Sequence, residues 1–217
     1  MDDNNEHLDT LRDIKKMMER SSRFISLSGF SGVAAGCCAL IGAAFAYNVI
    51  HGGAGLPVRS LDFALQRTPS FVSVREFMGN RLLQIAFFTF AAAVITATFF
   101  TYLSSKKKGI PMWGPTSKRL MINVSIPMVV GGIYLLKLIE SGVYGLIAPG
   151  CLIFYGLALV NASKYTLVEI RYLGYGQILL GLINLWMVGC GLYFWGLGFG
   201  VLHIVYGIIM WLKYERK

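Results

Sequence analysis

The chain has 217 residues, 55% of them hydrophobic and only 14% charged, with a mean hydropathy of +0.59. A soluble domain averages about 25% charged residues, and here the charges are bunched, leaving long uncharged stretches beyond Phe24. That excludes a disordered chain, a fibrous one and an ordinary soluble globule, and it leaves a polytopic membrane protein. The net charge of +9 would raise nucleic-acid binding in a soluble protein. Here topology accounts for most of the excess, and no nucleic-acid partner is expected.

In chain order, residues 6–23 are charged and periodic. Leu8, Leu11, Ile14 and Met18 fall on one helical face, with acids in the first half and bases in the second, as the helix dipole favours. This predicts a cytoplasmic amphipathic helix within residues 1–23, lying on the membrane surface or against the bundle, or else dimerising or docking a partner. A bilayer core of about 30 Å needs about 20 apolar residues as a helix. Six segments meet that length: Phe24–Ile50, Leu82–Leu103, Leu120–Ile139, Val143–Ala162, Tyr172–Cys190 and Leu192–Leu212. The expected fold is therefore an all-α bundle of six transmembrane helices over residues 24–217. The acids ahead of the first span (Asp2, Asp3, Glu6, Asp9, Asp13, Glu19) are unlike the basic lead of a signal peptide. The first span is read as retained.

Between the first two spans lies the longest loop, His51–Arg81, opening on His-Gly-Gly-Ala-Gly-Leu-Pro. A short helix capped by Ser60 is expected over Ser60–Gln66, with Phe63, Leu65, Phe71, Val74 and Phe77 dipping into the interface. The loop Ser104–Arg119 carries Lys106, Lys107 and Lys108, a cluster suited to anionic lipid headgroups at the inner face. Only Arg59, Arg67, Arg75, Arg81 and Lys137 of the twenty Lys and Arg fall outside when the N-terminus is inside. A three-to-one bias in short loops is the positive-inside pattern, and it predicts both termini in the cytoplasm.

Within the spans, small residues recur at helical spacing where close helix packing is expected. Gly29, Gly32 and Gly36 mark the first span, Gly174 and Gly181 the fifth, and Gly196, Gly200 and Gly207 the sixth. Pro127 and Pro149 are expected to kink the third and fourth spans. Asn123, Asn161, Gln177, Asn184 and His203 form a candidate polar intramembrane cluster, as inter-helix glue or as a ligand or ion pathway. Glu140 can pair with Lys137, and Glu169 lies near Arg171. Cys37, Cys38, Cys151 and Cys190 lack C-x-x-C or metal-ligand spacing and read as packing residues. No catalytic, cofactor-binding or metal-binding set is nominated, and no cofactor is expected: Walker A, H-E-x-x-H and G-x-S-x-G motifs are missing. A displacement of 51 residues aligns Gly145-Leu146 with Gly196-Leu197, Ile153 with Ile204, and Tyr155-Gly156 with Tyr206-Gly207. Spans three–four and five–six would then be parallel repeats.

Three segments carry a family likeness: Met17 to Gly29 entering a Gly/Ala-rich helix, Tyr155 to Thr166 followed by Glu169 to Gly174, and Leu197 to Gly207. They resemble a family of small, uncharacterised bacterial inner-membrane proteins. The resemblance covers most of the chain except the outer loop. It implies a bacterial inner membrane and brings no activity, cofactor or catalytic residue. The function expected is non-enzymatic, through self-association, a membrane-protein partner or lipid. The alternatives are a small-solute transporter or channel-like protein and a membrane-embedded enzyme.

Overall fold

The computed structural model of the protein describes residues 28–51, 81–109 and 113–216. The expected amphipathic helix, the start of the first span at Phe24, and the Ser60–Gln66 helix of the outer loop lie outside the described residues. So does the side chain of Lys108. All elements among the described residues are helical: α1 Gly29–His51, α2 Arg81–Lys108, α3 Pro115–Glu140, α4 Ile147–Ala162, α5 Glu169–Trp186 and α6 Gly191–Tyr214. A 3-10 turn, Tyr144–Leu146, leads into α4. By length and composition α1, α2, α3, α6 and α4 with its leading turn can each cross a membrane.

α5 departs from the expectation of six equivalent spans. It runs Glu169–Trp186 rather than Tyr172–Cys190, and it lacks the long apolar window that marks the other five as candidate spans. The reason lies in its surroundings: Gly174, Gln177, Gly181 and Asn184 form a buried stripe, and an inward polar face meets partners rather than lipid. The chain then reverses through Met187–Cys190, where Gly189 takes φ +97°, a geometry that a Cβ penalises. Pro149 also departs from expectation. It is the third residue of α4, in the first turn, where the missing N–H has no intrahelical partner to lose. No mid-helix break arises there. Pro127 does lie inside α3.

The helices pack in two groups, α3–α4–α5 and α2–α1–α6, joined where α6 meets α4 and α5. Two pairs are drawn together by glycine. A Cβ on Gly174 would stand 2.8 Å from the Gly156 carbonyl oxygen, and one on Gly207 2.6 Å from the Gly29 oxygen. Helix backbones touch directly at both places, as small residues permit.

The two pairs are built alike. On α5, Gly181 faces the Pro149 oxygen and Ile153; on α1, Gly36 faces the Gly200 oxygen and Ile204. Gly174 faces Gly156 and Val160, as Gly29 faces Gly207 and Trp211. Each α4 residue maps onto its α6 counterpart at the 51-residue displacement seen in the sequence. Of the other glycines in the packing stripes, Gly32 stands close to Gly207, and Gly200 is pressed against Leu40. Gly196 differs, since a Cβ there would meet Ala43 at an ordinary 3.7 Å. It does not need to be glycine for packing.

Polar groups tie four helices together at one end. Ser28 caps α1, its Oγ accepting from Phe30 N–H at 3.2 Å, while Gly29 N–H donates to the Glu215 carboxylate at 3.1 Å. A carboxylate at a helix N-terminus is stabilising there. Lys213 and Tyr214 both donate to Glu169, Tyr214 at 2.9 Å. Arg171, the neighbour expected for Glu169, instead donates to Ser163 at 3.3 Å and ties α5 to α4. At the opposite end Lys137 and Glu140 form an exposed pair at 3.0 Å.

Partial burial by itself would raise the Glu169 carboxyl, but the Lys213 and Tyr214 hydrogen bonds and the Lys213 charge outweigh it and hold the group below its ordinary value. Such a carboxyl contributes stability that is complete above the ordinary value and is lost as pH falls through the lowered one. The melting temperature in mild detergent should therefore fall more on acidification in the wild type than in Glu169→Gln; parallel curves would refute the linkage. A second pair of variants tests the packing. Gly207→Ala should cost about 1–3 kcal/mol by overpacking. Gly132→Ala, where nothing lies within 4 Å, should be neutral or gain about 0.5–1 kcal/mol. Denaturant unfolding of both separates close packing from simple helix propensity.

Candidate functional site

α6 changes pitch in its middle. Gly191–Trp195 is α-helical, Gly196–Leu202 is π-helical, and His203–Tyr214 returns to α. Gly196, Gly198 and Gly200 are all buried in the wide segment. Glycine is a poor α-helix former, and π turns concentrate at functional sites. A Cβ on Gly198 would stand 2.7 Å from Gln177 Oε1, so glycine is what lets α5 approach here.

His203 follows the segment and is only 7% exposed, while Gln177 is fully buried. The ring is held from three sides. Tyr155 on α4 places its hydroxyl 2.8 Å from His203 Nε2. His203 Nδ1 lies 3.1 Å from the Gly198 carbonyl, and Gln177 Nε2 donates to that same carbonyl at 2.7 Å. The distances select a tautomer: a bare Nδ1 would set its lone pair against the Gly198 oxygen. Nδ1–H therefore donates to Gly198, and the Tyr155 hydroxyl donates to Nε2. Gln177 Nε2, 3.4 Å from Nδ1, spends its good hydrogen bond on the carbonyl. The Tyr155 ring lies over the imidazole at 5.5 Å and 29°, and Phe199 and Trp195 extend the aromatic wall.

Of the five residues expected to converge, Gln177 and His203 do so. Asn184 is on the same α5 stripe two turns on, roughly 10 Å along the axis; it is 1% exposed, and its Nδ2 has no partner among the described residues. Asn161 and Asn123 belong elsewhere. Asn161 donates to the Asn123 carbonyl at 3.0 Å, tying α4 to α3, while Asn123 turns back to the Arg119 carbonyl at 2.8 Å. They miss the cluster because Asn123 lies on α3, whose main partner is α4, and Asn161 lies on α4 but turns toward α3.

Sequence reasoning missed Tyr155 as a site residue, although the repeat had paired Tyr155-Gly156 with Tyr206-Gly207. Tyr206, one turn beyond His203, has a buried hydroxyl without a partner among the described residues, as does Gln177 Oε1. Lys106 and Lys107 are exposed at the end of α2. His51 sits at the exposed end of α1, stacked on Tyr47 at 4.1 Å. Among the described residues no three His, Cys, Asp or Glu come together as a metal site, and the four cysteines are free. Cys38 donates to Thr96 on α2 at 3.8 Å, since the Thr96 hydroxyl already donates to the Ala92 carbonyl at 2.8 Å.

A hydroxyl 2.8 Å from an imidazole nitrogen has acid–base geometry, and here it joins a buried imidazole to a partly buried tyrosine across two helices. Tyr155→Phe should cost about 0.5–2 kcal/mol, the range of hydrogen bonds between apolar-environment helices. Combined with His203→Gln it should cost less than the sum of the two, because the variants remove one shared interaction. A double-mutant cycle in mild detergent checks this, and strict additivity would dissolve the pair as an energetic unit. No protein-family model, no curated protein and no solved structure matches this chain.

Proposed function

We propose that the chain is a bacterial inner-membrane protein with six spans and both termini in the cytoplasm, working by association rather than by chemistry. Its contacts are with itself, another membrane protein, or anionic lipid at the inner face. The observation that carries the association reading is α2: only 6% of its apolar window is buried, and among the described residues its substantial packing is against α1 alone. Phe87, Phe88, Phe90, Val94, Ile95 and Phe99 are all exposed on it. Exposed aromatic and branched side chains around one helix suit either acyl chains or a further helix. Topology rests on the excess of Lys and Arg in the inner loops, and Lys106 and Lys107 stand where headgroups would be met.

A second reading, a pathway for a small solute, is favoured by the buried polar atoms along α5 and α6 that lack partners among the described residues. Native mass spectrometry of the full chain in mild detergent separates the two. Association predicts a defined oligomer or a co-purifying protein, and Ile95→Cys then cross-links to it. A bare monomer carrying a reproducible small adduct, lost on His203→Ala, would overturn association in favour of the solute pathway.

A further inference from the structure

Charge is unevenly answered at the end of the bundle where α3 and α5 begin and α4 and α6 finish. Among the described residues the carboxylates at this end are Glu169 and Glu215, and other helices engage both. Glu169 accepts from Lys213 and Tyr214, and Glu215 from the Gly29 N–H. Four cations at the same end have no such partner. Lys118 and Arg119 stand near the start of α3, Lys164 in the turn after α4, and Arg171 in the first turn of α5; all four are exposed. None of them forms an ion pair among the described residues. Leu120, Ala162 and Ile170, each within two residues of a cation, pack as one buried cluster, so the three segments that carry the charges are held together. The first turn of α3 contains no acid, and its dipole disfavours cations there unless an anion is near.

We infer that this α3–α4–α5 rim retains a lipid whose headgroup carries two phosphates. One phosphate is answered by one or two cations, whereas four unpaired cations call for more negative charge than a single phosphate brings. Basic clusters between membrane helices suit headgroups of that kind. Arg171 is set for the contact. Its Nε donates to the Ser163 hydroxyl at 3.3 Å, and that buried hydroxyl is fixed in turn by donating to the Val160 carbonyl at 2.6 Å. The terminal nitrogens of the guanidinium keep no partner among the described residues, and their planar fork matches a pair of phosphate oxygens. Trp113, two residues ahead of α3, and Tyr172, beside Arg171, are strongly exposed. Exposed Trp and Tyr collect at headgroup depth, which favours a lipid over a soluble polyanion. Met121, Ile122 and Ile126 are exposed further along α3 and offer apolar surface to acyl chains.

The inference rests on the membrane reading and deepens its lipid arm. α2 supplies the control. It runs antiparallel to α1, with Cys38 opposite Thr96 and Gly42 opposite Thr89, so Lys106 and Lys107 stand at the same end but on the α1 flank. The full chain is reconstituted into phosphatidylcholine liposomes containing diphosphatidylglycerol or, at equal total charge, phosphatidylglycerol. Flotation reports insertion first, so a chain that fails to float overturns the membrane reading, and this inference with it, before any lipid is measured. Floated protein, extracted in mild detergent, is then weighed by native mass spectrometry. The expected result is one diphosphatidylglycerol per chain, retained in preference to phosphatidylglycerol. Retention should weaken about fivefold for each cation removed in Lys118→Gln with Arg119→Gln, and in Lys164→Gln, which repeats the test on another segment. Arg171→Lys keeps the charge but loses the fork, and should weaken it too. Lys106→Gln with Lys107→Gln removes the same charge from α2 and should leave retention unchanged. Equal retention of the two lipids overturns the inference, and so do equal losses from the α2 and α3 pairs, which would mean general attraction to a charged surface.

Discussion

Direct contact between helix backbones at Gly29–Gly207 and Gly156–Gly174 is the constraint from which the rest of the arrangement follows. Where apolar side chains meet surroundings as apolar as themselves, burying them gains little, and packing depends on how closely helices approach. A methyl group at any of these glycines would push two helices apart by more than van der Waals tolerance. Close approach makes α4 with α5, and α1 with α6, into two rigid pairs. The same atoms recur in each, Ile153 against Gly181 and Ile204 against Gly36. The 51-residue relation between α4 and α6 is thus a relation of packing roles as well as of letters.

Where the pairs meet, α6 has to serve both. One of its faces is committed to α1 through Gly200 and Gly207, and another must reach Gln177 and Tyr155. The π-helical Gly196–Leu202 segment lies at this junction. Its wider turn shifts the angular phase of later residues, so that His203 and Gly207 fall on the faces they occupy. The hydrogen bonds of His203 therefore bridge the pairs: Tyr155 and Gln177 belong to one, and the ring and the Gly198 carbonyl to the other. The site is coupled to how the two pairs sit against each other, while the Glu169 and Glu215 clasps hold the helix ends nearby.

Much of the architecture was legible in one dimension. Apolar runs of about 20 residues are long-range features that survive errors of several positions, so five of the helices appear close to where composition puts them. Glycine spacing in α1, α5 and α6 picked out faces that do pack closely, because a helical repeat is a property of the chain alone. α5 was misjudged at both ends, since its start depends on partners for Glu169 on α6 that no local window contains, and its end on the chain reversal at Gly189. Pro149 was misjudged because its effect depends on where the helix starts.

Composition, periodicity and spacing determined by themselves the helical class, the approximate segments and the glycine faces, since each is set by residues within a few turns of one another. Only the tertiary structure decided which faces meet. It separated Asn123 and Asn161 from Gln177 and His203, because Asn161 turns from α4 toward α3 and bonds the Asn123 carbonyl. It brought in Tyr155, 48 residues from His203, and opened the π turn that presents the Gly198 carbonyl. A hydrogen bond between distant helices depends on their relative rotation and separation, and neither quantity is written in the periodicity of any one helix.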